Sequence, residues 1–580
     1  MIRKLAKSIR EYTFPSILTV AFIIGEVLIE CEIPYIIAEL VNGISAGLRI
    51  EELIKTGFTL TTMAIISLIC GGLAAYTCSK ASAGFAKNLR HDVFTRIQSF
   101  SFYNIDKFST SSLVTRLTTD ITHVQMSYMM IIRTAIRSPL MFMRTITKAY
   151  RMSPQLATTF VVVVPVLVVG LLLVARFAMP AFRRVFKKYD KLNESIEENV
   201  RAMRVVKGFS RERYETQKFT NAATDIYKDF TKAERIVAIN GPIMQICMYF
   251  NMIFVLIVGS KLTISSQGEL LDIGQISAML TYGMQILMSL MMLSMIYVML
   301  TMSMESMKRI CEVLDEVPSL HNPQNPIYSV EDGSIDFNNV NFKYSEKANK
   351  NSLSGIDLHI KSGMTVGVLG GTGSGKSSLV QLIPRLYDVT EGSVKVGGID
   401  VREYDIKTLR DSVAMVLQKN QLFSGTIKEN LRWGNENATD EECIEACRLA
   451  QADDFINSFP DGYDTYIEQG GTNVSGGQKQ RLCIARALLK KPKILILDDS
   501  TSAVDTRTDA FIRAGFKEFI PETTKIIIAQ RVASVMDADM IIVMENGMVS
   551  AVGNHNELMQ NSQIYREVYQ QQINGGDFDE

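Results

Sequence analysis

The first half of the chain alternates long apolar stretches with long polar ones. Four segments without a charged residue are long enough to cross a bilayer core of roughly 30 Å as helices. They are residues 57–79, 156–175, 236–260 and 273–304. Two more apolar stretches, 14–39 and 126–150, carry charged residues within them. The pattern therefore predicts six membrane-spanning helices.

The two longest polar connections, residues 80–125 and 176–235, are rich in Lys and Arg. Basic residues concentrate in the cytoplasmic loops of membrane proteins. We therefore expect both connections, and with six crossings also both termini, to lie in the cytoplasm. The connections are dense in helix-forming residues and poor in breakers, which favours helices that continue out of the membrane over a solvated linker.

Beyond residue 316 the pattern changes to short apolar runs that alternate with helical ones, which is typical of an α/β domain. Pro318, Pro323 and Pro326 mark a linker before that change. We predict an all-α six-helix transmembrane domain over 1–315, a linker over 316–334 and an α/β domain over 335–575.

Composition supports a membrane part joined to a soluble part. The chain has 580 residues, of which 47% are hydrophobic and only 21% charged. The zero formal charge hides a split, because residues 1–320 sum to +10 and residues 321–580 to −10. No concentrated basic stripe is present, so nucleic acid is not an expected partner, whereas membrane lipid is.

Charged residues inside two predicted crossings need a reason, because such charges are costly in lipid. Glu26 and Glu30 share a face of the first crossing, and Arg133, Arg137 and Arg144 share a face of the third. They line a water-filled translocation cavity under one interpretation. Under the other, which we favour slightly, they form a buried structural ion-pair network, and the two are compatible.

Methionine is concentrated in the last two predicted crossings, where residues 244–307 hold 13 of the chain's 30. Met is overused at promiscuous binding surfaces, but it also simply fills contacts between helices. The second interpretation is the more economical, and a surface for amphiphilic small molecules is the alternative.

A phosphate-binding loop follows a strand-like run at 365–369 and precedes a helical one at 378–386. It has the pattern GxxxxGK[ST], in which glycines let backbone N–H groups approach phosphates, Lys376 contacts them and Ser377 holds Mg²⁺. Its residues are Gly370, Gly371, Thr372, Gly373, Ser374, Gly375, Lys376, Ser377 and Ser378. A second apolar run, 494–497, ends at Asp498, a position from which a carboxylate can reach the metal.

Further motifs resemble those of ABC-transporter ATPases, in the order that the family shows. Ser475, Gly476, Gly477 and Gln478 resemble the signature that acts on a partner's ATP. Gln418 resembles the Q-loop glutamine, and Tyr344 the aromatic residue that stacks on adenine. Ser502 and Asp505 lie in a segment that resembles the D-loop.

With six crossings before such a domain, the chain resembles the half-transporters of the type IV exporter class. The resemblance implies an α/β P-loop ABC ATPase domain that binds ATP and Mg²⁺, with Ser377, Gln418 and Asp498 around the metal. It also implies coupling helices, which we place at 110–120 and 205–214, and a location in a bacterial plasma membrane.

The chain departs from the family pattern at both catalytic positions. Asp499 stands where an active ABC ATPase has the glutamate base, and Gln530 stands where the family has a switch histidine. Glutamine cannot carry a positive charge toward a developing phosphate charge. A third departure lies before the signature, where Glu468 precedes the usual acidic position and Gln469 occupies it.

These departures favour a degenerate ATP site in a heterodimer, whose partner half-transporter supplies the glutamate and histidine, over an ordinary homodimer. The leading hypothesis is ATP-driven efflux of drugs or other amphiphilic substrates. Lipid, peptide or siderophore cargo is the second. A regulatory membrane protein that uses ATP only as a ligand is the third, and the intact signature argues against it.

Overall fold

The computed structural model describes residues 1–47, 49–266, 271–345, 348–499 and 506–574. The chain forms two compact units. The first comprises Met1–Gln98 and Ser109–Glu316, and the second comprises Ser99–Phe108 and Val317–Glu580.

The first half of the chain is helical in the described residues. Its helices are α1 (Ile2–Leu5), α2 (Thr13–Ser45), α3 (Ile50–Gln98), α4 (Phe102–Lys107), α5 (Thr110–Thr115), α6 (Ile121–Ile132), α7 (Thr134–Met152), α8 (Pro154–Arg201), α9 (Met203–Gly208), α10 (Glu212–Ala238), α11 (Asn240–Ser265) and α12 (Ile273–Asp315). A 3₁₀ segment, Ala6–Tyr12, precedes α2, and a π-helical turn, Arg116–Asp120, joins α5 to α6.

Helices α3 and α8 confirm that the polar connections continue as helix. They have 49 and 48 residues, which at 1.5 Å per residue is about 70 Å each. A bilayer core takes only about 30 Å of that length. The side on which the remainder lies stays a prediction.

In the described residues, five helical stretches are long and apolar enough to span a membrane. They are Ile2–Ser45, Ile50–Gln98, Pro154–Phe182, Glu212–Ser265 and Ile273–Asp315. The predicted third crossing, 126–150, is not among them. It is divided between α6 and α7 at Arg133, where φ is −107° and ψ −70°, and its basic residues lower its apolar character. The count of six crossings therefore remains a prediction.

The segment 110–120, expected to dock on the ATPase, belongs instead to the first unit. Asp120 is fully buried and accepts hydrogen bonds of 2.8 Å from the Ser306 hydroxyl and from Nε of Arg309, both on α12. Arg116 also donates to the Arg309 carbonyl at 2.6 Å. Buried polar groups require such partners, so these residues tie the segment to the membrane unit.

The segment that groups with the second unit lies about ten residues earlier, at Ser99–Phe108. Tyr387 donates a 2.7 Å hydrogen bond to Asp106, and Asn104 donates to the Val317 carbonyl at 3.0 Å. Ser101 and Asn104 form a capping box that starts α4. Our placement of the first coupling helix was therefore wrong, while the placement at 205–214 stays a prediction.

Within its described residues, the second unit contains three sheets. Its strands are β1 (Ile335–Phe342), β2 (Leu353–Ile360), β3 (Thr365–Gly370), β4 (Glu391–Val396), β5 (Ile399–Asp400), β6 (Val413–Val416), β7 (Gly425–Thr426), β8 (Tyr466–Ile467), β9 (Ile494–Asp498), β10 (Thr524–Ile528), β11 (Met540–Glu545) and β12 (Met548–Gly553). The main sheet has the order β12-β11-β3-β10-β9-β6, beside an antiparallel sheet β2-β1-β4-β5 and a pair β7-β8.

Helices surround these sheets. They are α13 (Lys376–Gln381), α14 (Ile406–Ser412), α15 (Ile427–Arg432), α16 (Asp440–Leu449), α17 (Asp453–Asn457), α18 (Gly476–Leu489), α19 (Thr506–Phe519), α20 (His555–Asn561) and α21 (Gln563–Asn574). Short 3₁₀ turns lie at Gly462–Asp464, Gln469–Gly471 and Val532–Ser534. The sequence predicted a helix that ends at residue 386, whereas α13 ends five residues earlier, at Gln381.

The parallel strands β3, β9 and β10 position the site. All five residues of β9 and of β10 are buried, as is usual for strands covered on both faces. Ile528 pairs with Asp498 of β9 and with Val368 of β3. Because the carboxyl ends of these strands lie level, the residues that follow them meet at one edge of the sheet.

Candidate nucleotide site

The loop between β3 and α13 needs its glycines. Gly373 and Gly375 have φ of +80° and +98°, in the left-handed region that glycine adopts without strain. A Cβ on Gly370 would lie 2.4 Å from the Met544 carbonyl oxygen. Gly371 and Gly373 have open space beside them, and Thr372 is exposed. The loop is therefore closely packed on one side and open on the other.

Two polar groups of the loop fit an anionic ligand. The Ser374 hydroxyl is buried and has no hydrogen-bond partner within the described residues, although buried polar groups normally have one. The Lys376 ammonium donates to the carbonyls of Gly370 and Gly371, at 2.7 and 2.9 Å. Burial lowers its pKa, while the charges of Asp498 and Asp499 oppose that shift. Phosphate oxygens would supply the missing acceptors.

Ser377 and Asp498 form the part of the site that suits a metal. The Ser377 hydroxyl donates to Asp498 at 3.1 Å, and Asp498 is 5% exposed. Burial raises the pKa of Asp498, against the Ser377 hydrogen bond, and the Asp499 charge raises it further. One carboxylate and one hydroxyl fit Mg²⁺, which usually takes few protein ligands and completes its shell with phosphate and water.

Asp499 brings the remaining candidates together. Its Oδ2 atom accepts hydrogen bonds from the side-chain amides of Gln530, at 2.9 Å, and Gln418, at 3.3 Å. Its own N–H donates to the Ile528 carbonyl at 3.1 Å. Asp499 has φ of +49°, a conformation that Asp adopts more readily than most residues. The two departures from the family pattern are therefore in direct contact.

Tyr344 lies against the start of α13. Its hydroxyl is 2.8 Å from that of Ser378 and donates to Gln381 at 3.2 Å. Its ring meets those of Phe342 and Tyr387 edge-on, with centroids 4.8 and 5.2 Å apart. The side chain is held in place yet remains 39% exposed, which leaves ring surface for an adenine.

The signature residues start helix α18. The Ser475 hydroxyl accepts from the Gln478 N–H, and the Gln478 side chain accepts from the Ser475 N–H at 2.9 Å. Ser475 and Gly476 are exposed. Glu468 accepts a hydrogen bond from the Thr472 hydroxyl at 2.8 Å, which gives it a local role. The D-loop candidates Ser502 and Asp505 lie outside the described residues.

Sequence reasoning missed Gln572, which belongs to α21. Its amide N–H₂ donates to the Gln530 carbonyl at 2.8 Å, and its carbonyl accepts from the Val532 N–H at 2.7 Å. No motif marks Gln572, because the contact joins residues 40 and 42 positions apart.

The charged residues inside the predicted first and third crossings are mostly paired with one another. Arg137 lies 2.6 Å from Glu30 and 3.4 Å from Glu26. Glu32, which the sequence analysis did not single out, contacts Arg144 at 3.5 Å and Lys148 at 2.5 Å. The geometry supports the ion-pair interpretation for these residues. Arg133 is exposed and has no ion pair in the part of the chain that the structure describes.

Comparison with known proteins agrees with this architecture. A family model described as the ABC transporter transmembrane region matches residues 16–290, and one described as ABC transporter matches residues 353–502. The uncharacterized ABC transporter ATP-binding protein YfiB of Bacillus subtilis is 33% identical, over 99% of each chain. YknU of the same organism, described in the same words, is 32% identical over 83% of this chain and 82% of its own.

Among solved structures, a bacterial Atm1-family ABC exporter with ATP bound superposes with a TM-score of 0.83. It is 23% identical, and the match covers 97% of this chain and 98% of that one. At that identity the likeness concerns the fold.

The chain therefore belongs to the ABC transporter family. It is a half-transporter with an exporter-type fold, in which a multi-pass membrane region precedes an ABC ATPase domain that drives transport with ATP.

The ion pairs around Arg137 lead to a first prediction. Arg137→Met leaves Glu26 and Glu30 without their cation inside the membrane, where a charged residue costs about 2.5–3.5 kcal/mol. We expect a clearly lower melting temperature in detergent. Arg133→Met is the matched control and should leave the melting temperature unchanged. Equal melting temperatures for the two variants would contradict a structural role of the Arg137 pairs.

Asp498 leads to a second prediction. A carboxyl group whose pKa is higher in the folded than in the unfolded state binds more protons when folded, so its ionisation lowers stability as the pH rises through that range. Asp498→Asn should therefore raise the melting temperature of the ligand-free protein at pH 7, and the gain should disappear in acid. It should also weaken Mg²⁺-dependent ATP binding by at least about tenfold, the cost of losing even an outer partner of a metal.

Asp405→Asn is the control for the sign of that effect. The Thr408 N–H lowers the pKa of Asp405, so ionisation of Asp405 stabilises the fold at neutral pH. This variant should lose stability at pH 7 and keep its Mg²⁺-dependent ATP binding. A loss of stability in Asp498→Asn as well would contradict the destabilising burial of the Asp498 charge.

Proposed function

We propose that this chain is one subunit of a heterodimeric exporter and carries its catalytically degenerate ATP site. The complex moves drugs or other amphiphilic substrates out across a bacterial plasma membrane, with both termini of the chain in the cytoplasm. The second subunit is another ABC half-transporter.

The contact between Asp499 and Gln530 carries this proposal. A catalytic base must point an oxygen at the attacking water, and the two amide N–H groups that Oδ2 of Asp499 accepts hold its carboxylate toward Gln418 and Gln530. Gln530 is neutral, so it cannot stabilise transition-state charge as a cation does. Asp is also one methylene shorter than Glu. These features support a site that retains ATP and hydrolyses it slowly.

The nucleotide-binding residues support retention of the ligand. The loop Gly370–Ser378, Tyr344, Ser377 and Asp498 would hold ATP and Mg²⁺, and Gln418 would turn to the metal when it is bound. The signature, Ser475 to Gln478, whose first two residues are exposed, would complete the ATP site of the partner, with Ser502 and Asp505 beside it. The partner supplies Glu and His there, so its site turns over.

Exposed methionines support amphiphilic cargo. On α12, Met284, Met288, Met291, Met292, Met295, Met302 and Met304 are all exposed, and thioether side chains adapt to varied apolar surfaces. Of the five charged residues predicted to line a cavity, Arg133 is the one that is exposed and has no ion pair within the described residues. Glu26, Glu30, Arg137 and Arg144 contribute to a cavity wall mainly by holding its helices together.

A regulatory membrane protein that only binds ATP is the second candidate, because the same Asp499–Gln530 contact would suit it. The two functions differ in whether ATP turnover at the partner's site depends on this chain. Turnover that depends on the signature of this chain belongs to a transporter, whereas a regulator would not need that signature. Lipid, peptide or siderophore cargo changes the substrate without changing the ATP chemistry.

ATP turnover by the chain reconstituted alone, and then with the partner, tests the proposal. We expect negligible turnover alone and robust turnover together. Ser475→Ala in this chain should reduce the joint activity strongly, whereas Asp499→Ala should do much less. Robust turnover by this chain alone would contradict the degenerate site, and joint activity that ignores Ser475→Ala would favour the regulator.

Restoring both family residues gives the complementary prediction. The double variant Asp499→Glu and Gln530→His should raise turnover at the site of this chain by about 10² to 10⁴, the range that a positioned base and a charge-stabilising group supply. The positive φ of Asp499 disfavours Glu slightly, which places the gain toward the lower end. Each single variant is a control and should gain much less. No gain in the double variant would show that other residues limit hydrolysis.

A further inference from the structure

We infer that Gln572, on helix α21, is a positioning residue of this ATP site, because it holds the switch loop from which Gln530 reaches Asp499. The inference rests on the proposed role of Gln530 at the nucleotide. Gln572 touches no reacting group itself and acts only through the backbone of residues 530–532.

The carboxamide of Gln572 binds two backbone groups of the loop at once. It donates to the Gln530 carbonyl at 2.8 Å and accepts from the Val532 N–H at 2.7 Å. The two hydrogen bonds lie on either side of Arg531 in the chain. The Gln572 side chain thus pairs with the backbone of the loop in the way that a neighbouring strand would. Both distances are those of well-formed hydrogen bonds.

The loop needs this support because it lies just beyond the sheet. Strand β10 ends at Ile528, and the Ala529 N–H donates to the Val368 carbonyl at 3.2 Å. The 3₁₀ turn Val532–Ser534 follows. The first N–H groups of a helical turn have no partner within the turn, and Gln572 satisfies that of Val532.

Helix α21 is itself firmly held. Tyr565 is fully buried, and its hydroxyl lies 2.7 Å from Nδ1 of His555. The His555 ring also packs edge-on against Tyr569, with centroids 5.2 Å apart. Val568 packs on the same hydrophobic core as Val532. A side chain on a well-packed helix can hold a functional loop more closely than another loop can.

The arrangement therefore links the last helix of the chain to the catalytic position. Gln572 fixes the Gln530 backbone, and the Gln530 side chain donates to Asp499 at 2.9 Å. If the two hydrogen bonds are lost, Gln530 leaves both Asp499 and the phosphate end of the nucleotide more often. A role confined to the stability of α21 would not depend on the Gln530 side chain.

Four variants of the full chain in lipid nanodiscs test this inference: Gln572→Ala, Gln571→Ala, Gln530→Ala and the double variant Gln530→Ala with Gln572→Ala. Gln571 is the matched control, since it is exposed and makes no hydrogen bond with other described residues. The probe is radiolabelled adenylyl imidodiphosphate with Mg²⁺, and the readouts are its release rate and hydrogen exchange at the Val532 amide.

Gln572→Ala should speed exchange at Val532 and release of the analogue, each by about 3- to 10-fold, as expected for one hydrogen bond of ordinary strength. Gln571→Ala should change neither. In the Gln530→Ala background, Gln572→Ala should still speed exchange but add nothing to release, because contacting residues that act through one another are not additive. Faster release in both backgrounds, or unchanged exchange at Val532, would overturn the inference.

The variant Gln572→Glu distinguishes a local effect of Gln572 from a general loss of folding. Glutamate keeps the acceptor for Val532 but loses the donor to Gln530. We expect Val532 to stay protected while release becomes faster, and loss of protection at Val532 would contradict the geometry. These readouts are independent of turnover. If the chain alone hydrolyses ATP quickly, the degenerate site is refuted, whereas the dependence of release on Gln572 and Gln530 is not.

Discussion

The level carboxyl ends of three parallel strands are the constraint on which the ATPase unit depends. Asp498 and Ile528, which end β9 and β10, lie level with Val368 of β3, and β3 continues two residues further to Gly370. Whatever follows those strands must meet at one edge, so the phosphate loop, the metal ligand, Asp499 and Gln530 become neighbours although up to 160 residues separate them. Both faces of β9 and β10 are buried, so a slip of either strand would disturb close packing on both sides of the sheet. The packing of the strands thus brings the residues of the nucleotide site together at this edge.

The membrane unit meets a different constraint with a similar solution. Charges in lipid must find partners within the protein. Arg137, Arg144 and Lys148 find Glu26, Glu30 and Glu32 across two neighbouring helices. Such pairs set the rotation of the helices about their axes more sharply than apolar contacts do, because only one rotation brings the charges together. In both units, a buried charged group is held in position by its hydrogen-bond or ion-pair partners. These contacts also fix the position of the helix or strand that carries the group.

Local patterns predicted what depends on local physics. The apolar stretches, the phosphate loop and the carboxylate at the end of β9 are each encoded within a few residues, and the structure has them as helices, loop and strand end. What could not be predicted are the long-range contacts. Nothing in the local sequence distinguishes Glu32 from the other acidic residues of α2, because its role depends on contacts with α7. Gln572 likewise lies in a run of polar residues and is distinguished only by its contacts with the loop. We predicted the first coupling helix at 110–120 and not at 99–108, because the hydrogen bonds of the latter segment to Tyr387 and Val317 span more than 200 residues. The break at Arg133 has no proline or glycine at that position, since the proline of this segment, Pro139, lies six residues later within α7.

The assignment of Ser99–Phe108 to the second unit also bears on how the chain is made. This piece leaves the ribosome more than 200 residues before Val317, where the rest of its unit begins. Asp106 precedes Tyr387 by 281 residues, so at synthesis rates of about 5 to 20 residues per second it waits roughly 14 to 56 seconds for that partner. During that interval Asp106 lacks the hydrogen bond from Tyr387, and Phe102 lacks its ring contact with the same residue. The ATPase fold is therefore completed by a segment that is synthesised long before the rest of its unit, and this segment must stay available until the later part of the chain has been made.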